Sequence, residues 1–405
     1  MIPITKPLVG TAEVNAASTT ILSGWLTQGP QVAAFEQEFA TAVGAAHACA
    51  VANCTVALHL ALLSVGVRPG DEVITVSHSF IATANVIRYC GAEPVFVDID
   101  RRTYNMAPAR LAAAISSRTR AILCVHQMGM PCDLAAILAV ARLHALPVVE
   151  DAACAIGSEI LADGAWERIG RPRGDVACFS FHPRKVITTG DGGMLTTSDP
   201  ERDRMFRLWR QHGMAVSDLV RHSAREVIKE TYPIVGYNYR MTDVQASIGR
   251  KQLERLPDLI ERRRFLAARY AALLSDVPGL TLPFEPDWAR SNWQSYCVRL
   301  PPESQQQAVR QSMLDRGVAT RSGIMCAHRE DAYRDLRQPH CLLESERAQD
   351  DCLLLPMYAQ MNETEQLAVV SALRDALKEC RRAGGKRPGS TLLPEEKVNS
   401  SNATR

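Results

Sequence analysis

Lys185 stands at the end of Phe179-Ser180-Phe181-His182-Pro183-Arg184-Lys185 and is followed by Thr188-Thr189-Gly190-Asp191-Gly192-Gly193. The apolar run Val176 to Phe181 reads as a strand, which puts the lysine on the segment that leaves it. An amine at a strand end, with the Ser180 hydroxyl and a Gly-rich turn beside it, suits a Schiff base with a phosphorylated aldehyde cofactor. Most lysines are solvated surface charges, so the reading depends on partners. Asp151 is one, at the carboxyl end of the apolar run Leu146-Pro147-Val148-Val149-Glu150-Asp151. A carboxylate there can hold a pyridine nitrogen protonated, so that the ring draws electrons from a developing carbanion. An Asp after a strand is also a common helix N-cap, and the residue alone leaves both roles open. The third partner is Val51-Ala52-Asn53-Cys54-Thr55-Val56-Ala57-Leu58, where a strand-like stretch meets an apolar helical run capped by Asn53 or Thr55. A helix N-terminus offers N–H groups and a favourable dipole to a phosphate, and Thr55 adds a hydroxyl.

Short apolar runs positioned around these residues alternate with helical periods. Residues 71–76, 94–99, 121–125, 147–150, 176–181 and 193–197 read as strands, with helices expected at 81–89, 108–115 and 134–144. That alternation predicts an α/β fold with a mostly parallel sheet covered by helices on both faces. Helical patterns continue at 242–256, 259–274, 305–316 and 362–383, with a break near Pro257. The expected division is a large domain over 1–256, a smaller carboxy-terminal α+β domain over 257–383 and a disordered tail over 384–405, where Gly, Pro, Ser and charged residues leave little to bury. A net charge of +2 implies no strong field for nucleic acid or membranes. No uninterrupted apolar stretch is long enough to span a bilayer, and residues 1–6 lack a signal-peptide core. The 12 scattered cysteines, without a Cys-x-x-Cys pair, fit buried reduced thiols and a cytoplasmic setting. No Gly-x-Gly-x-x-Gly follows an early strand, and no clustered Cys/His spacing suggests a metal.

With these motifs together, the sequence resembles the DegT-type family of pyridoxal-phosphate-dependent aminotransferases that act on sugar nucleotides and aminocyclitols. The resemblance runs from about Ser23 to about Leu377. Ser23 to Pro30 looks like the family's amino-terminal segment, and Asn53-Cys54-Thr55-Val56-Ala57-Leu58 is similar to its phosphate loop. Ser79-Phe80-Ile81-Ala82-Thr83-Ala84-Asn85 matches the stretch whose aromatic residue, here Phe80, stacks on the cofactor ring. Glu150-Asp151-Ala152-Ala153 corresponds to the pyridine-nitrogen motif and Phe179 to Lys185 to the Schiff-base motif, in which Ser180 adds a phosphate contact. Gly236-Tyr237-Asn238-Tyr239-Arg240 matches a segment whose asparagine reaches the phosphate of a neighbouring subunit. Two positions depart from the pattern: Cys54 replaces a usual Gly, losing freedom at positive φ, and Cys154 replaces a Gln or His near the cofactor's phenolic oxygen.

The resemblance implies the aspartate-aminotransferase-like fold (type I), pyridoxal 5′-phosphate, and a homodimer with shared active sites. It implies Lys185 as the catalytic amine and Asp151 as the support of the electron sink. Cys54, Thr55, Phe80, Cys154, Ser180 and Asn238 would be cofactor contacts. The expected reaction moves an amino group from glutamate or glutamine to a nucleotide-linked keto-sugar, as in amino-sugar or antibiotic biosynthesis. A keto-cyclitol acceptor and a non-catalytic regulatory protein are the alternatives. A sugar dehydratase of the same fold would carry His where this chain has Lys185. For the acceptor pocket the sequence offers the loop 321–330 with His328, and the segment 217–230 with Arg221, His222 and Arg225 for a diphosphate.

Overall fold

The computed structural model describes residues 1–216, 221, 224–336 and 338–384. His222, most of 217–223 and the expected tail beyond Gly384 lie outside the described residues.

The chain enters through two helices, α1 (Thr11–Leu22) and α2 (Pro30–Val43), and then the strand β1 (His47–Val51). α2 stops at Gly44, whose φ of 76° is the left-handed C-terminal conformation that glycine adopts freely. After β1 come α3 (Cys54–Ser64), β2 (Glu72–Val76), α4 (Ala82–Tyr89), β3 (Glu93–Val97), α5 (Leu111–Ala114), β4 (Thr119–Val125), α6 (Leu134–Leu143) and β5 (Val148–Asp151). A hairpin of β6 (Glu159–Ala162) and β7 (Ala165–Arg168) precedes β8 (Val176–Ser180), β9 (Gly193–Thr197) and α7 (Pro200–Arg210).

These strands build a seven-stranded sheet in the order β1-β9-β8-β5-β4-β2-β3. β9 runs against both neighbours, whereas β8, β5, β4, β2 and β3 pair in parallel. Side chains alternate across it. Ile74, Ile122, Cys124, Val148, Ala177 and Phe179 face one side with α2 and α6, where Phe39 and Phe179 meet edge-on at 5.1 Å. Val73, Leu123, Val149, Val176, Cys178 and Leu195 face the other, under α3 and α4. Burial on both faces is why these strands read as continuous apolar runs.

The carboxy-terminal part begins with α8 (Asp243–Glu254) and α9 (Leu256–Leu274), the second carrying Pro257 in its first turn. Pro257 therefore separates two helices without a loop, since a proline at that position gives up an N–H that would have no intrahelical partner. β10 (Ala289–Arg290), β11 (Tyr296–Arg299), α10 (Gln306–Asp315), β12 (Arg321–Ser322), α11 (Leu343–Asp351), β13 (Cys352–Leu355) and α12 (Glu363–Gly384) follow. β11, β13 and β12 form an antiparallel sheet over a second core that includes Leu266, Tyr270, Tyr296, Leu353 and Leu373. Among the described residues no helix is long and apolar enough to cross a membrane.

Candidate active site

The strand pairing brings the singled-out residues to one end of the large sheet. Val51 of β1 pairs with Gly193 of β9, and Gly193 pairs with Ser180 of β8. Asp151 ends β5, beside Cys178 on one flank and Val125 on the other. Open α/β sheets gather ligands at the carboxyl ends of their strands, and this row is such an edge. The loop from β1 into α3 can lie against β9 because position 193 is glycine. A Cβ there would come within 2.5 Å of the Asn53 carbonyl.

Lys185 is half-buried, and its Nζ donates to Cys154 Sγ at 3.1 Å. Burial works against the ammonium, but the contact with Cys154 and the nearby Asp151 outweigh it and hold the Lys185 pKa above the ordinary lysine value. The amine is therefore protonated at neutral pH and must release a proton before it can attack a carbonyl. Cys154 is held in turn by Asn292, whose side-chain amide donates to the Cys154 and Ile156 carbonyls at 2.7 and 2.8 Å.

Asp151 is 5 % exposed. Its Oδ1 accepts the Ala153 N–H at 3.1 Å and its Oδ2 accepts the Thr83 hydroxyl at 2.9 Å. The first contact closes a turn and caps no helix, so the helix-cap alternative falls away. Burial raises the Asp151 pKa, while its two donors and the nearby Lys185 pull against that rise. Behind it, Glu150 is fully buried and braces the strand end. Its Oε1 accepts the Arg173 and Gly174 N–H groups at 3.0 and 2.8 Å, and its Oε2 meets His126 Nε2 at 3.1 Å. His126 Nδ1 accepts the Cys132 N–H at 2.9 Å, which leaves the ring proton on Nε2, directed at Glu150.

At the start of α3, Asn53 is the cap: its Oδ1 accepts the Val56 N–H at 3.0 Å. Thr55 instead sits in the first turn with its hydroxyl uncommitted to capping. The N–H groups of Cys54 and Thr55 point out of the helix start without intrahelical acceptors, a cradle suited to an anion. Cys54 lies within right-handed helix, so its replacement of a glycine brings no positive-φ strain. Burial pushes the Cys54 thiol well up, which keeps it neutral. Ser180 is half-buried at the same edge, its Oγ accepting the His182 N–H at 3.4 Å. Phe80 follows β2 and is 69 % exposed, presenting an open ring.

Asn238 is exposed on a segment whose backbone is pinned to its own chain: Tyr239 N–H donates to Arg210 O at 2.9 Å, and Tyr239 O accepts the Ala52 N–H at 2.8 Å. Arg221 pairs with Glu230. His328, expected as an acceptor contact, is committed elsewhere. Its Nδ1 lies 2.6 Å from Ser77 Oγ and its Nε2 lies 3.1 Å from Glu346 Oε1, which ties the 323–330 loop to the end of β2. Thr83 and Asn292 escaped the sequence reading, although Thr83 lies only three residues after Phe80, on the far side of one helical turn.

Residues 7–374 match the DegT/DnrJ/EryC1/StrS aminotransferase family, and the chain belongs to that family. It is a pyridoxal-phosphate-dependent aminotransferase of fold type I. The spore coat polysaccharide biosynthesis protein SpsC of Bacillus subtilis is 38 % identical over 93 % of this chain and 97 % of its own length. The aminotransferase TlmJ of Streptoalloteichus hindustanus is 36 % identical with a TM-score of 0.85, covering 94 % of this chain and 100 % of TlmJ. The sugar aminotransferase Spr1654 of Streptococcus pneumoniae, in its PMP form, is 25 % identical with a TM-score of 0.88, covering 94 % and 100 % of the two chains.

Proposed function

We propose that this chain transfers an amino group from glutamate or glutamine to a nucleotide-linked keto-sugar in amino-sugar biosynthesis. The observation that carries the chemistry is the placement of Lys185 Nζ against Cys154 beyond the end of β8, with the buried Asp151 at the same sheet edge. When bound, pyridoxal phosphate supplies the carbonyl that takes an amine and the ring that accepts electrons as Cα loses its proton. The residues present fit it. The Cys54 and Thr55 N–H groups, with the Thr55 and Ser180 hydroxyls, would hold the phosphate. Phe80 would cover one ring face, and Asp151 would keep a proton on the ring nitrogen. Lys185 Nζ would hold the cofactor through its carbonyl carbon and, as a free amine, would move the proton at the donor's Cα. The Cys154 thiol would lie near the phenolic oxygen, where it is a weak partner.

A sugar acceptor is supported by SpsC, a polysaccharide biosynthesis protein, and by Spr1654, a sugar aminotransferase. A nucleotide link is supported by Arg321, whose pKa is lowered by burial and by the charges of Arg184 and Arg310. Three guanidiniums this close, one of them next to Lys185, suit an acidic group such as a diphosphate. The cluster under α12, from Leu266 to Leu377, supports a smaller carboxy-terminal domain, although Leu259, Ile260, Cys297, Ala348, Cys352 and Leu354 pack into the core of the large sheet. The exposed Asn238 supports a homodimer in which it crosses to the partner's phosphate, and the exposed apolar side chains Val14, Ile21, Leu22 and Val235 suit burial between subunits. Buried reduced thiols fit a cytoplasmic setting. Mass-spectrometric screening of the aminated enzyme tests the acceptor. A nucleotide-linked keto-sugar should gain the amine, and turnover of free keto-cyclitols alone would overturn the assignment.

A further inference from the structure

Behind Asp151 lie two buried hydroxyls that the chemistry above does not use. Thr83 and Ser79 are 1 % and 3 % exposed, so neither can turn to bulk water. Thr83 Oγ1 donates to Asp151 Oδ2 at 2.9 Å, and Ser79 Oγ lies 2.8 Å from Thr83 Oγ1. A hydroxyl has one proton to give. Thr83 gives its proton to Asp151, so the bond behind it must run from Ser79 to Thr83. The order Ser79 to Thr83 to Asp151 is fixed as long as Asp151 is an acceptor. With the Ala153 N–H on Oδ1 at 3.1 Å, both carboxylate oxygens are then held.

The local alternative is that Thr83 only serves its helix. A threonine inside a helix usually bonds back to the carbonyl four residues earlier. Here its hydroxyl instead meets the side chains of Ser79 and Asp151, the second from a strand 68 residues away. The Thr83 N–H donates to Phe80 O at 3.0 Å, so one turn of chain carries both the open Phe80 ring and the hydroxyl aimed at Asp151.

We propose that Thr83, backed by Ser79, is a positioning residue that holds Asp151 as an oriented, hydrogen-bonded anion facing the cofactor's ring nitrogen. The proposal rests on Asp151 being the partner of that nitrogen. Removing the Thr83 hydroxyl leaves a buried carboxylate short of a donor, which favours its neutral form and weakens its hold on the ring proton.

The test is a pH titration of the visible absorbance of the holoenzyme, with steady-state rates, for Thr83→Val, Thr83→Ser and Ser79→Ala. Thr83→Val should move the spectral midpoint up by about one pH unit or more, because a ring that holds its proton less firmly draws less charge from the Lys185 nitrogen. It should lower kcat about 10- to 100-fold while KM for the amino donor stays within about threefold. Thr83→Ser restores both, and Ser79→Ala moves the midpoint the same way by less. A parent-like midpoint in Thr83→Val, or a Thr83→Ser variant as impaired as Thr83→Val, overturns the proposal. If Thr83→Val does not fold, Ser79→Ala decides, and an unmoved midpoint there overturns it as well. A midpoint that Asp151→Asn does not move sinks the proposal together with the placement of Asp151. A wrong acceptor assignment changes none of these midpoints, so the two failures are told apart.

Discussion

Asp151 carries the strongest conflict between stability and chemistry at the scale of single residues. Burial raises its pKa, so the ionised form is the one the fold disfavours. The sign follows from linkage: a carboxyl with a raised folded pKa adds stability below its unfolded pKa and loses it as pH rises through the folded value. At neutral pH the ionised group is therefore a cost. Asp151→Asn should leave the apoprotein at least as stable as the parent in thermal melts at neutral pH, with an advantage that grows as pH rises through the raised folded pKa and is level above it. The same change should slow the reaction with the amino donor about 100- to 1,000-fold, because a neutral amide cannot hold the ring proton. Single-turnover rates check this, and a parent-like rate would leave Asp151 a structural residue. Lys185, Asp151, Ser180 and the Cys54-Thr55 pair were legible because each closes or follows an apolar strand within a short contiguous motif. The commitment of His328 was not, since its partner Ser77 lies 251 residues away. Thr83 was in view but silent, because nothing in its neighbours announces a hydroxyl turned toward another strand.

The sheet strands and most helices were readable at the scale of elements because burial on two faces leaves unbroken apolar runs between turns. β6 and β7 were missed although Asp163-Gly164 sits between them; their φ values of 52° and 81° form a two-residue turn of the kind Asp-Gly favours. β11 and β13 escaped too, since their pairing joins residues more than 50 positions apart in a region of helical patterns. The loop at 323–330 is where element and site meet. Ser77 Oγ accepts the His328 N–H at 3.1 Å besides facing its ring, and the Ala327 N–H donates to Ser77 O at 2.9 Å. Asp98, at the end of β3, caps α11 through the Glu344 and Ser345 N–H groups at 2.9 and 2.8 Å. The carboxy-terminal segment is thereby fastened to the ends of β2, which leads into Phe80, and of β3. His328→Ala leaves the Ser77 hydroxyl proton without its ring acceptor in a buried setting and should cost about 1–3 kcal/mol in denaturant unfolding. It should also speed cofactor loss on dilution, read from the decay of the visible absorbance. Parent-like stability and retention would mean that the clasp bears no strain between the two parts.

The unresolved contribution at the scale of the whole molecule is the one a second chain would make. Asn238 faces solvent although the backbone of Tyr239 beside it is pinned to Ala52, just before the start of α3. In a shared-site dimer, Lys185→Ala and Asn238→Ala chains, each inactive alone, place both lesions in one site and leave the other intact. Activity should return on mixing, to about a quarter of the parent value for random exchange. Verified exchange without rescue would mean that Asn238 serves its own chain. The account as a whole stands on Lys185 as the amine that anchors the cofactor. Borohydride reduction of the holoenzyme followed by peptide mapping tests this directly. The account predicts the added cofactor mass on the peptide containing Lys185 and on no other, and Lys185→Ala should lose the label, the visible absorbance and transamination while remaining folded. A label at another lysine, or turnover that survives in Lys185→Ala, would contradict it.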